Sequence, residues 1–432
     1  MARMSLLLLF DLLLLSLSCS PQFSSATVKT VSRQLLQQQT QQSWWQSKAR
    51  LPAEPDRTSS VIFPLVGNVY PDGIYYAALS IGNPPKPYFL DVDTGSDLTW
   101  VQCDAPCVNC GKGPHPLYRP RSNQLVLCEH PICSYLQLTG SAYNCKDNSD
   151  QCDYEIEYAG DESSMGVLVS DFFTLQFTNG SILRPNLAFG CGYDQQGWST
   201  SGFSPTDGVL GLGLGESGIL SQLHKQGLIH SVLGHCLSKK GGGFLFLGDT
   251  LIPRSGITWT PMSSSSFGKY YSPGSASLFY GKQYLISRDF KVVFDSGSSY
   301  TYFADHNYQV LTTALAKQLH GKPLKEDKDD GTLPLCWKGN KPFRSVSDYK
   351  RYFNSLVLGF GKRTLLEIPP ESYLITTKYG NTCLGILNGT QAGLENINLI
   401  GDVSMQDLLV IYDNERGRMG WARAKCNKNS KL

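Results

Sequence analysis

Two related lobes built mostly of β-strands are what this sequence predicts, and three observations predict them. The chain has 432 residues, too many for one ordinary core and comfortable for two. Its 42 Gly, 23 Pro, 22 Tyr and 19 Phe make a turn-rich, aromatic composition that favours short strands over long helices. An internal repeat runs through it, described below. Hydrophobic residues are 41% and charged residues 17%, which places the chain among packed globular proteins. The formal charge of +2 supplies no basic field for nucleic acid and no acidic tail for a basic partner.

Residues 1–26 read as a signal peptide. Arg3 gives the positive start, the run from Ser5 to Leu17 is apolar apart from Asp11 and Ser16, and Ser24-Ser25-Ala26 follows. That run is short of the roughly 20 apolar residues a membrane-spanning helix needs. No second long apolar run follows, and Cys426 to Leu432 is polar, so no membrane anchor is expected. Cys19 leaves with the signal peptide, and twelve of the 13 Cys remain, an even number that fits full pairing in an oxidising compartment. Cys103, Cys107 and Cys110 lie close together, but their irregular spacing and the lack of a suitably placed His argue against zinc, and no metal is expected. Asn179-Gly180-Ser181 and Asn388-Gly389-Thr390 are glycosylation sequons. The secretory pathway is therefore expected, with an extracellular or vacuolar end point.

Residues 27–60 differ from the rest. Gln34 to Gln46 is Gln-rich, and the stretch carries Lys29, Arg33, Lys48, Arg50 and Arg57 against Glu54 and Asp56. This composition suits a detachable pro-segment. Strand-like runs begin near Val61. Ile74 to Ile81 precedes the turn Gly82-Asn83-Pro84-Pro85, and Tyr88 to Val92 reads as a buried strand. Helical patterns are few, with Gly218 to Gly227 and Asn307 to Leu319 the better ones. The lobes are placed at residues 61–250 and 251–432.

The repeat supplies the chemistry. One apolar strand leads into Asp93-Thr94-Gly95-Ser96, and a second, Val292-Val293-Phe294, leads into Asp295-Ser296-Gly297-Ser298. The two Asp stand 202 residues apart. Each is followed by an apolar-apolar-Gly element, Val209-Leu210-Gly211 in the first half and Leu399-Ile400-Gly401 in the second. Carboxylates at the ends of buried strands are costly unless used or paired. Two that share a site keep one proton between them. Such a pair can hold a water, take its proton and hydrogen-bond a substrate carbonyl. Gly95 and Gly297 let the backbone turn closely beneath the pair. Thr94, Ser96, Ser296 and Ser298 offer hydroxyls to orient it.

These motifs resemble the pepsin-like aspartic peptidases, and the details are similar to the plant nucellin-like and nepenthesin-like branch. Tyr88 to Trp100, Phe189-Gly190-Cys191-Gly192-Tyr193, Asp207 to Gly213 and Ile411-Tyr412-Asp413-Asn414-Glu415 carry the resemblance, which spans about residue 60 to 426. It implies a bilobal, mostly β, pepsin-like acid protease fold with the active-site cleft between the lobes. It implies a secreted endopeptidase, without cofactor, that acts as a monomer on polypeptides with bulky apolar residues beside the scissile bond. It also implies a β-hairpin flap, for which Tyr158 is the matching tyrosine and Trp100 the tryptophan that steadies it. Ala159 and Glu162 depart from the family's usual flap wording. The resemblance further implies the pairs Cys103–Cys107, Cys110–Cys191, Cys128–Cys152, Cys133–Cys145, Cys236–Cys426 and Cys336–Cys383.

Two other readings compete. Gly213-Leu214-Gly215-Glu216-Ser217-Gly218 matches a dinucleotide fingerprint, but Lys239 and Lys240 stand where an acidic residue is needed. A close-packed connection explains the run better. A catalytically silent protein of the same fold, acting by binding or inhibition, is the other alternative. Intact Asp, hydroxyl and Gly residues in both halves argue against it.

Overall fold

The computed structural model describes residues 59–427, apart from 144, 161, 198–203, 264–269, 362–363 and 395. The signal peptide, nearly all of the pro-segment and the flap residue Asp161 lie outside the described residues. Among these residues strands dominate, assembled into sheets of fourteen, seven and four strands.

Local patterning explains the strands. Val61–Asn68 alternates buried and exposed residues along its length, with Val61, Phe63 and Leu65 turned inward. It pairs with Ile74–Ile81, which pairs with Lys86–Asp93. The two better helical patterns become the helices Ile219–Lys225 and Asp305–Leu319. A third helix, Pro131–Leu138, lies in the Cys-rich insertion and packs Ile132, Cys133 and Leu136 beneath the hairpin formed by Asp153–Glu157 and Ser163–Gln176.

The internal repeat is a structural one. Lys86–Asp93 runs parallel to Gly208–Gly211, with Asp93 opposite Gly211. Gln283–Phe294 runs parallel to Asn398–Ile400, with Phe294 opposite Ile400. Each apolar-apolar-Gly element is thus the strand beside its Asp. The next strand in each half is antiparallel to that element, Trp100–Gln102 in one and Thr301–Phe303 in the other. Gly211 and Gly401 are required by close crossings. A Cβ on Gly211 would lie 2.5 Å from the Asp97 carbonyl carbon, and one on Gly401 would lie 2.0 Å from the Tyr300 carbonyl oxygen.

The two halves are sewn together. Leu408–Asp413 and Arg418–Arg423, near the C-terminus, join the first-half strand Val232–Leu237, and Thr258–Pro261 adds to their edge. Cys236–Cys426 closes this junction, and Cys336–Cys383 links two neighbouring strands of the four-stranded sheet.

The other four implied disulfides are corrected. The pairs are Cys103–Cys191, Cys107–Cys110, Cys128–Cys145 and Cys133–Cys152, not Cys103–Cys107, Cys110–Cys191, Cys128–Cys152 and Cys133–Cys145. Strand register is the reason. Val101 stands opposite Cys191 in a parallel pair, and Cys103 N donates to Gly192 O at 2.9 Å. The Cys103 and Cys191 Cα atoms are thereby 5.3 Å apart, within disulfide reach. In the insertion Leu127 bridges Gln151 antiparallel, so Cys128 faces Asp150 rather than Cys152. Cys152 and the helical Cys133 both turn into the core and meet there.

Candidate active site

Asp93 and Asp295 each end a central strand, and both are buried. Their loops repeat the same bonds. Gly95 N donates to Asp93 Oδ1 at 2.7 Å and Ser96 Oγ to Asp93 Oδ2 at 2.5 Å. Gly297 N donates to Asp295 Oδ1 at 2.9 Å and Ser298 Oγ to Asp295 Oδ2 at 3.1 Å. Four donors therefore fix the planes of two carboxyl groups.

The loops also hold each other. Ser296 N donates to Thr94 Oγ1 at 3.0 Å, and Thr94 N donates to Ser296 Oγ at 3.2 Å. The hydroxyls donate hydrogen bonds to carbonyls that precede the opposite Asp. Thr94 Oγ1 donates to Phe294 O at 3.3 Å and Ser296 Oγ to Val92 O at 2.7 Å. The close approach needs Gly95. A Cβ there would lie 2.7–2.9 Å from the Asp295 carboxyl atoms.

Burial, then the charge of Asp295, holds the Asp93 carboxyl well above the usual carboxylate range, against the opposing bonds from Ser96 and Gly95. The pair therefore holds a proton more tightly than a free carboxyl does.

A hairpin covers this floor. Asp153–Glu157 pairs with Ser163–Gln176, and Tyr158 N donates to Glu162 O at 2.8 Å to close the tip. Gly160 adopts φ +93° in that turn, a conformation natural to glycine. Tyr158 is buried, and Trp100 Nε1 donates to its hydroxyl at 2.5 Å. Burial and the charge of Asp93 raise the Tyr158 hydroxyl well above its ordinary value, so it stays protonated. The predicted Asp, Thr, Ser, Gly, Trp and Tyr residues thus fall into one continuous arrangement.

A family model described as the xylanase inhibitor N-terminal region matches residues 75–249, and one described as the C-terminal region matches residues 281–423. An aspartic proteinase of Oryza sativa subsp. japonica is 46% identical over 384 residues, covering 86% of this chain and 92% of that relative. The chain belongs to the plant pepsin-like aspartic proteinase family. Nepenthesin-1 of Nepenthes gracilis, also an aspartic proteinase, is 28% identical over 379 residues, covering 82% of this chain and 78% of that one. Among solved structures, soybean basic 7S globulin superposes with a TM-score of 0.65 at 18% identity, covering 85% of this chain and 95% of that one. The aspartic proteinase from Irpex lacteus gives 0.58 at 19%, covering 86% and 100%. At such identities these two establish the bilobal acid protease fold and nothing more.

Within this family frame, three acids escaped the sequence reading. Asp91 lies two residues before Asp93 and is buried; it was read as part of an apolar strand. Asp402, directly after Gly401, is also buried, and burial with the charges of Asp91, Asp295 and Asp93 holds its carboxyl well above the usual range. Glu162 was noticed only as a departure in the flap. A charged residue inside an apolar run was the available sign for Asp91 and Asp402 alike.

The dinucleotide-like Gly run binds the protein's own acid. A Cβ on Gly213 would lie 2.3 Å from Asp97 Oδ1, and one on Gly215 would lie 2.1 Å from Asp97 Oδ2. Gly215 N donates to Asp97 Oδ1 at 2.8 Å. His224, His230 and His235 lie close in sequence; His235 is fully buried, its ring pKa lowered to about 3 by burial, and it hydrogen-bonds Tyr412 Oη through Nε2 at 3.1 Å. His224 and His230 both approach Glu415 at the surface, at 3.4 and 3.6 Å.

Proposed function

We propose that the protein is a secreted aspartic endopeptidase in which Asp93 and Asp295 activate a water for attack on a peptide carbonyl. The observation that carries this reading is the reciprocal Thr94–Ser296 lock beneath two carboxyl groups, each fixed by its own amide and hydroxyl donors. The pair shares one proton. The ionised carboxyl accepts a proton from the water as its oxygen bonds to the carbonyl carbon. The protonated carboxyl gives its proton to the carbonyl oxygen. The resulting gem-diol collapses as a proton returns to the amide nitrogen, the C–N bond breaks and acid and amine leave. No covalent enzyme intermediate forms. The hairpin bearing Tyr158 excludes water from the polypeptide beneath it.

The twelve paired Cys and the apolar leader support passage through the secretory pathway, with an extracellular or vacuolar destination. Among the described residues, no helix is long and apolar enough to cross a membrane. The basic residues Lys48 and Arg50 of the pro-segment are proposed to neutralise the dyad before maturation. Equal activity at neutral pH of the proform and a chain starting at Ser59 would refute that role.

The test of the main reading is proteolysis by the purified protein across pH, with and without a pepstatin-type transition-state mimic. Acid-favoured, mimic-sensitive cleavage is expected, lost in Asp93→Asn and in Asp295→Asn. Activity surviving either substitution would sink the dyad assignment. A second reading, inhibition of a glycan-degrading enzyme, is motivated by the description of the two family models. Inhibition of a xylanase by a protein without peptidase activity would favour it.

A further inference from the structure

One of the six bridges stands apart from the core. Cys107 and Cys110 are both partly exposed, whereas every other bridge has at least one buried cysteine. They are 3 residues apart, and the next shortest bridge, Cys128–Cys145, spans 17. Closing so short a loop removes little disorder from the unfolded chain, so folding does little to hold this bridge shut. No residue from Asp104 to Lys112 is buried, so core packing does little to hold the loop. What holds it is an edge contact. Val108 N donates to Tyr193 O at 2.6 Å, Gln195 N donates to Val108 O at 3.3 Å, and Asn109 Nδ2 donates to Asp194 Oδ1 at 3.1 Å. Asn109 lies inside the bridged loop at φ +54°, a left-handed conformation that the closed bridge supports. The other edge of the same segment carries the hairpin. Asp194, Gln195 and Gln196 stand opposite Met165, Ser164 and Ser163, which begin the return strand just after the tip that Tyr158 N closes onto Glu162 O. The bridged loop thus lines one edge of a segment whose other edge supports the flap.

We propose that Cys107–Cys110 is a thiol–disulfide exchange site, opened by a dithiol reductant, whose state sets how firmly the hairpin bearing Tyr158 is held over the dyad. A thiolate of the reductant attacks one of the two sulfurs, the S–S bond breaks and a mixed disulfide forms. The second thiol of the reductant then displaces the protein sulfur from that mixed disulfide. Two electrons and two protons pass to Cys107 and Cys110, which become thiols, and the reductant leaves as its own disulfide. With the bridge open, Asn109 regains its ordinary backbone freedom and Val108 separates from Asp194. The segment then has a bare edge, and the return strand of the flap loses its backing. The consequence for catalysis rests on the peptidase reading; the exchange site itself does not.

The test treats the purified protein with increasing dithiothreitol, then alkylates and maps the free thiols. Cys107 and Cys110 should be labelled first, at about tenfold less reductant than Cys128 and Cys145. Amide hydrogen exchange at Ser163–Met165 should then quicken by about tenfold, while exchange at Val292–Phe294 in the other half stays as it was. Cys107→Ser combined with Cys110→Ser should match the reduced protein without any reductant. Peptide kcat/KM should fall by about threefold or more in both. Another bridge opening first, or hairpin exchange unchanged once Cys107 and Cys110 are free, would overturn the proposal. Faster exchange with an unchanged kcat/KM would overturn its link to catalysis. The reductant series needs no substitution, so it decides the matter even where the double variant fails to fold. Protein that cleaves no peptide in either state would overturn the peptidase reading, and the labelling and exchange results would still decide the exchange site.

Discussion

The substitution Thr94→Ala deletes one hydroxyl and unpairs two backbone groups. Thr94 Oγ1 accepts from Ser296 N at 3.0 Å and donates to Phe294 O at 3.3 Å. Thr94 is fully buried and Ser296 nearly so, which leaves little access for water to replace the missing oxygen. A buried polar group without a partner costs about 1–3 kcal/mol, so two such groups cost about 2–6 kcal/mol. Thr94→Ser keeps the oxygen and removes one methyl, at about 1 kcal/mol. It also reproduces the residue that the second loop uses at Ser296. The unpaired carbonyl belongs to Phe294, the residue before Asp295, so the same change loosens the dyad. Misplacing a reacting group by about 1 Å can cost about 100-fold in rate. We therefore expect Thr94→Ala to be destabilised in chemical unfolding and to lose at least tenfold in kcat, while Thr94→Ser stays near the parent in both. Equal unfolding midpoints for the Ala and Ser variants would refute the reasoning, because the interlobe bonds would then carry no net stability.

Three further predictions follow from the site and its supports. Asp402 binds its proton more tightly in the folded state than in the unfolded chain, so the stability present in acid is lost as pH rises past the ordinary aspartate range toward the raised folded value. Asp402→Asn should therefore gain melting temperature over the parent at neutral pH and little in acid; parallel profiles would rule this out. Tyr158→Phe removes the hydroxyl to which Trp100 Nε1 donates at 2.5 Å, and we expect about a 5- to 150-fold fall in kcat/KM from about 1–3 kcal/mol; an unchanged kcat/KM would detach Tyr158 from the cleft. Replacing both Cys236 and Cys426 by Ala opens a bridge between residues 190 apart. Unfolding should then be easier by about 2–5 kcal/mol, and an unaltered denaturant midpoint would show that the sheet alone holds the C-terminus.

What the sequence revealed and what it concealed follow one physical division. Asp93, Asp295 and their Thr, Ser and Gly companions were legible because the bonds that fix each carboxyl are local, made two and three residues onward. The helices Ile219–Lys225 and Asp305–Leu319 were legible for the same reason, through periodicity within one segment. The Cys-rich insertion was not. Its pairings depend on which residue stands across from which, and a shift of two residues separates Cys128 facing Asp150 from Cys128 facing Cys152. Composition carries no register, and a family resemblance transfers it only where the turns agree. The helix Pro131–Leu138 hid for a related reason. It is short, starts at a Pro, and is pinned by a bridge that the spacing does not reveal. Trp100 and Tyr158 are 58 residues apart, so only the resemblance joined them before the structure did.

The internal repeat sharpens where to look for what reads the substrate. Positions that agree between halves serve the dyad, which is itself symmetric: Asp93 with Asp295, Thr94 with Ser296, Gly211 with Gly401. A polypeptide is not symmetric, since it runs from amine to acid, so residues that recognise it need no counterpart in the other half. Asp91 meets this description, because the residue two before Asp295 is Val293. Asp402 does too, because the residue after Gly211 is Leu212. Both are buried, where a carboxyl is costly, and the paired position shows that an apolar residue fits the same fold. Acids kept at such a cost in one half only, beside a dyad that needs only two, belong to what distinguishes the halves and not to the reaction the halves share.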